Sequence, residues 1–196
     1  MNEKEFFRIR LYFAGFASIS IGALLMWNHF HGGVPSHHVL ADETLPLISN
    51  WWGILVIPLL TLLLTYRIQK RIYRPNDQKT SILLKQVIFG FLVALSFGIL
   101  LAFFFAAGNQ DMPGYMILGL LPLAFFFPIY RAECLLGFVF GMTYTFGAVL
   151  PMGIGSLLVL IGAGIYLLLR PAIIYVGSKL IRSGSSVKNQ SGGMRI

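Results

Sequence analysis

The chain has 196 residues, 57% hydrophobic and 11% charged, with a formal net charge of +8. A soluble domain carries roughly 25% charged residues, so this composition cannot cover a water-facing surface. It excludes an ordinary soluble globule and indicates a single all-α integral membrane domain.

Six apolar runs follow in order. The first predicts a helix over about Phe7–Asn28, too long and too poorly supplied with small cleavage-site residues for a removable signal peptide. The second covers about Leu47–Tyr66, the third Ile82–Ala107, the fourth Tyr115–Tyr130, the fifth Cys134–Leu150 and the sixth Gly153–Leu169. A hydrocarbon core of ~30 Å needs ~20 helical residues; the first three runs meet this comfortably and the last three are shorter. The uncharged link Leu150–Gly155 also allows a re-entrant pair, but six complete spans in a compact bundle are the preferred arrangement. Pro171 is expected to end or kink the sixth helix, with Ala172–Ile181 along the inner surface. Residues 1–182 form the membrane domain, and 183–196 form a basic, disordered tail.

The cations sort by connection. Lys4, Arg8 and Arg10 precede the first run. Arg67, Lys70, Arg71, Arg74, Lys79 and Lys85 lie between the second and third, Arg131 between the fourth and fifth, and Arg170, Lys179, Arg182, Lys188 and Arg195 after the sixth. The remaining connections hold Asp42, Glu43 and Asp111 and no Lys or Arg. The positive-inside rule makes the basic side cytoplasmic, so both termini are expected inside. The charge is then a topology signal that suits anionic membrane lipids, and nucleic acid is not an expected partner. A bacterial cytoplasmic membrane is the expected location.

Trp27, Trp51 and Trp52 mark the outer interface, and Tyr66, Tyr73 and Tyr130 the inner one. Trp51 and Trp52 are also candidates for solute contact, together with Thr143, Tyr144 and Thr145, the densest polar cluster within a predicted span. Thr143 and its neighbours can instead bond to nearby backbone. Ala14, Ser18 and Gly22 lie four apart on the first helix, a small-residue stripe that lets another helix approach closely. That stripe is the candidate docking face for a membrane protein partner or a second copy. Gly137 and Gly141, and the glycines of the sixth run, are expected to serve packing within the bundle.

His29, His31, His37 and His38, followed by Asp42 and Glu43, form the candidate metal site. Neutral imidazole is the commonest protein metal ligand, and such a set suits zinc or copper, although its spacing matches no defined zinc motif. Pro35-Ser36-His37-His38 superficially resembles an element of membrane lipid phosphatases. The basic element it would need, around Arg67–Arg74, falls on the opposite membrane face, which excludes that chemistry. No other catalytic constellation is present. Glu133 is expected to pair near the headgroups, with Arg131 its nearest cation in sequence. Cys134, the single cysteine, can form no intrachain disulfide.

In size, span count and orientation the chain resembles the substrate-binding membrane subunits of energy-coupling-factor vitamin importers. The resemblance implies that Ala14, Ser18 and Gly22 dock a transporter partner; the glycine-proline-rich second helix of that family is missing. Three functions follow as expectations. The first is a non-enzymatic subunit that binds or passes a small solute with a partner. The second is an accessory or assembly subunit of a larger membrane complex. The third is a metal-dependent membrane enzyme using the outer histidines.

Overall fold

The first helix, α1 (Glu3–Phe30), begins at a capping box: the Glu5 amide donates to Asn2 Oδ1 at 2.8 Å, and the Asn2 amide donates to Glu5 Oε2 at 2.8 Å. These bonds satisfy two amides that a helix start leaves orphaned. The computed structural model to which α1 belongs describes residues 2–38, 47–73, 80–109 and 111–179, with the backbone alone at His37 and His38. After α1 come α2 (Gly53–Ile72), α3 (Thr80–Ala106), α4 (Asp111–Phe126), α5 (Ala132–Phe146) and α6 (Val149–Gly164). A two-stranded antiparallel hairpin pairs β1 (Ser36–His38) with β2 (Leu47–Ser49) between α1 and α2.

Four helical stretches are long and apolar enough to cross a membrane: Glu3–Phe30, Asn50–Ile72, Thr80–Ala106 and Val149–Lys179. The helices α4 and α5 are also apolar but shorter. At 1.5 Å per residue they reach about 24 and 23 Å. Large apolar side chains cover the outside, including Phe16 (69% exposed), Ile19 (74%) and Leu160 (70%). A surface of that kind fits a membrane-embedded protein and not one facing water.

Several boundaries differ from expectation. α2 starts at Gly53, not Leu47, because Leu47–Ser49 pairs as a strand and Asn50–Trp52 makes a 3-10 turn. It also runs on to Ile72, since Ile68 and Ile72 bury their side chains while Arg67 and Lys70 stay exposed. The break between the last two helices lies at Gly147–Ala148, not at Pro151. Gly147 adopts φ +71°, a left-handed conformation open to glycine. Pro151 then sits in the first turn of α6, where its missing N–H costs nothing. Finally, Pro171 does not end the helix. Residues 165–169 form a π turn and the chain stays helical through Pro171 to Lys179. A π turn re-routes the carbonyls that proline cannot satisfy.

At the centre, α5 packs against α2, α3 and α6. The contact with α3 is backbone to backbone. A Cβ on Gly98 would lie 2.7 Å from the Phe138 carbonyl oxygen, and one on Gly141 would lie 2.5 Å from that of Leu95. One on Gly137 would collide with the Phe91 carbonyl oxygen. These glycines four apart act as close-packing residues within the bundle. The main core gathers Ile21, Leu25, Ile57, Leu64, Leu136 and Val139 from α1, α2 and α5.

Polar contacts among the described residues gather at two ends of the bundle. At one, Arg10 Nη1 donates to Gln69 Oε1 (3.1 Å), Gln69 Nε2 donates to Glu3 Oε1 (3.4 Å), and the Tyr73 hydroxyl donates to the Asn2 carbonyl (3.2 Å). Burial, then the negative charges of Glu5 and Glu3, push the Tyr73 phenol up. At the other end the Asn50 amide donates to the Pro35 carbonyl (3.2 Å), and Gly147 backs directly onto the Asn50 side chain.

Candidate functional site

The polar end that holds Arg10 and Gln69 also contains a buried ion pair. Glu133, in the first turn of α5, is 1% exposed. Arg71, near the end of α2, meets it with both terminal nitrogens: Nη2 to Oε1 at 2.9 Å and Nη1 to Oε2 at 3.1 Å. Such a fork is the strongest geometry available to a guanidinium and a carboxylate. Gly90 of α3 leaves the room, since a Cβ there would stand 3.1 Å from Glu133 Cγ. Arg131 is therefore not the partner of Glu133. It is the N-cap residue of α5, with extended backbone (φ −72°, ψ 150°), and its side chain makes no capping bond.

Beside this pair a cleft of about 610 Å³ opens among α3, α4, α5 and α6. That volume lies within the ~300–1,000 Å³ typical of small-molecule sites. Its walls are apolar: Phe89, Val93 and Phe97 from α3, Leu120 and Leu123 from α4, Phe127 just after it, Phe138 from α5, and Leu158 and Val159 from α6. The small residues Gly90, Ala94 and Gly155 also line it. The polar groups Gln86, Arg131, Glu133 and Cys134 gather where α3 and α5 begin. From Gln86 to Phe97 the wall runs eleven residues of helix, about 16 Å.

The cleft is polarised. Glu133 is engaged by Arg71, whereas the Arg131 guanidinium has no hydrogen bond or ion pair among the described residues. The first amides of α5 add positive dipole character at the same place. Tyr166, another wall residue, packs on Tyr130 (centroids 5.6 Å apart) and carries Arg170 over its ring at 4.7 Å. Cations thus border one mouth of an otherwise apolar space.

The expected site residues lie elsewhere. The His31 ring stacks on Trp27 (3.9 Å), with Nδ1 2.9 Å from the Trp27 carbonyl oxygen. His29 meets the edges of Phe30 and Trp51. His37 and His38 belong to β1, their side chains outside the described residues, as are Asp42 and Glu43. Among the described residues no three His, Cys, Asp or Glu side chains converge. Trp51 and Trp52 are 44% and 58% exposed at the hairpin end. The Thr143 hydroxyl donates to the Val139 carbonyl at 2.6 Å, Tyr144 is 79% exposed and Thr145 half-buried. None of these five lines the cleft. On α1, Ala14 is buried, the Ser18 hydroxyl donates to the Ala14 carbonyl, and Gly22 faces open space.

Sequence reasoning did not find the cleft. The available signals were Arg131, a lone cation between two apolar helices, and the small residues Gly90, Ala94 and Gly155 on neighbouring spans. No protein-family model, characterised protein or solved structure matches the chain.

Proposed function

We propose that this chain is a non-enzymatic, six-span membrane subunit, with both termini cytoplasmic, that holds a small amphipathic solute in the cleft among α3–α6 and works with a partner protein. The cleft carries this reading: its walls are apolar along about 16 Å of helix and its polar groups sit at one mouth only. Apolar pockets with a few convergent polar groups recur between the helices of bundles. In this topology α4 and α5 are the short spans.

The partner surface is the Ser18–Gly22 part of the α1 stripe together with Gly15, Ala14 itself being buried within the bundle. Gly98, Gly137, Gly141, Gly155 and Gly162 each press on a neighbouring segment, whereas Gly15 and Gly22 face open space. Small residues left uncovered on a span are available to a second helix.

Extraction in mild detergent followed by mass spectrometry tests the proposal. A co-purified small molecule is expected, and it should be lost from Val93→Trp, whose larger ring obstructs the cleft wall. A stoichiometric protein partner with no bound small molecule would replace this function with the accessory role.

A further inference from the structure

We infer that the occupant of the cleft is an anionic lipid from the leaflet on the basic side, with an acyl chain between α3, α4 and α6 and its headgroup against Arg131. The inference rests on the cleft being a solute site and adds the chemical class of the solute.

Three observations converge. The first is charge. Arg131 lines the cleft and its guanidinium is unpaired among the described residues, while Glu133, the acid at the same mouth, is held by both terminal nitrogens of Arg71. An unpaired guanidinium beside apolar walls favours an anion that can accept from its planar fork, as phosphate does. A cationic or zwitterionic headgroup gains less, because the carboxylate it would seek is already committed.

The second is the backbone. Arg131 is the N-cap of the fifteen-residue α5, with no side-chain cap on its amides. Orphan amides at a helix start favour negative charge. Arg170, over the Tyr166 ring at 4.7 Å, adds a further cation beyond the wall.

The third is depth. The wall from Gln86 to Phe97 spans about 16 Å, close to half of the ~30 Å hydrocarbon core. The charged mouth lies at the end of the bundle that holds Arg10, Arg71 and Arg131. Headgroup level and one leaflet of hydrocarbon therefore match the two parts of the cleft. A soluble anion would need only the mouth, and a neutral apolar molecule only the walls.

Native mass spectrometry of the full chain in detergent, with phosphatidylglycerol or phosphatidylcholine bearing identical chains, tests the assignment. Wild type should retain phosphatidylglycerol about fivefold better, the worth of one cation near an anionic headgroup. Arg131→Gln should abolish that preference while still retaining phosphatidylcholine, and Val93→Trp should lose both lipids. Equal retention of both lipids by wild type, with loss in Val93→Trp, overturns the anionic class and leaves the cleft as a solute site. Retention unaffected by Val93→Trp overturns both. A preference that survives Arg131→Gln places the headgroup elsewhere. Displacement of phosphatidylglycerol by inorganic phosphate overturns the lipid in favour of a soluble anion.

Discussion

Removing Arg71 should be among the most damaging single changes to this fold. Glu133 is 1% exposed and accepts from Arg71 at 2.9 and 3.1 Å. Arg71→Leu would leave that carboxylate buried without a partner, which typically costs 3–5 kcal/mol. Two features place the expected loss near the lower bound, about 3 kcal/mol or some two orders of magnitude in the folding equilibrium. The Arg71 side chain is 29% exposed, so solvent screens part of the interaction. Its buried Nε also has no partner, so the pair is not fully satisfied. Glu133→Leu should lose less, because Arg71 can turn to solvent. The double variant Arg71→Leu with Glu133→Leu should recover most of the loss, since no charge is left stranded. Equilibrium unfolding in mixed micelles across the four proteins gives the coupling directly. A stability of Arg71→Leu within about 0.5 kcal/mol of wild type, the range of an ordinary surface change, would refute the reasoning.

Gly137→Ala and Gly141→Ala should each destabilise by about 3 kcal/mol, because the added methyl meets the α3 backbone and cannot be absorbed by a rotamer change. Gly15→Ala and Gly22→Ala, with open space at the same atom, should match or exceed wild type in the same detergent melt. The phenol of Tyr73 is raised by burial and by Glu5 and Glu3. Its contribution to stability is therefore full below the ordinary tyrosine value near 10 and is lost as pH rises through the folded value. Titration of the phenolate absorbance against Tyr73→Phe checks this, and a midpoint at or below the free-tyrosine value contradicts it. Zinc bound through His31 would sit beside the stacked Trp27 ring, so tryptophan emission should change in step with metal uptake. Equal metal content in wild type and in His31→Ala with His37→Ala removes the metal-site reading.

The helices were legible because apolar runs of this length have few alternatives, yet hydropathy marks the run and not the helix. Leu47–Ser49 is apolar enough to read as a start of α2, but its backbone pairs with Ser36–His38. Arg71 and Ile72 read as loop, but the helix extends to present Ile72 to Phe6 and Val87 and Arg71 to Glu133. The pairing of Glu133 was misassigned for a geometric reason. Residues two apart at a helix start do not face one another, whereas Arg71, 62 residues away, arrives from α2. The packing role of Gly137 and Gly141 was readable from their spacing. The cleft was not, because it depends on which faces of α3, α4, α5 and α6 fail to meet.

In the proposed six-span arrangement the unequal helices would also act on the surrounding lipid. α3, with 27 residues, reaches about 40 Å, and its neighbour α4 only about 24 Å. A bilayer that matches one cannot match the other without tilt or thinning, each at a cost of fractions of a kcal/mol per Å of mismatch. The bundle should therefore impose a local dip on the side of α4. In the proposed six-span arrangement lipid packing should be poorest there, and hydrocarbon chains should leave the bilayer most easily on that side of the bundle.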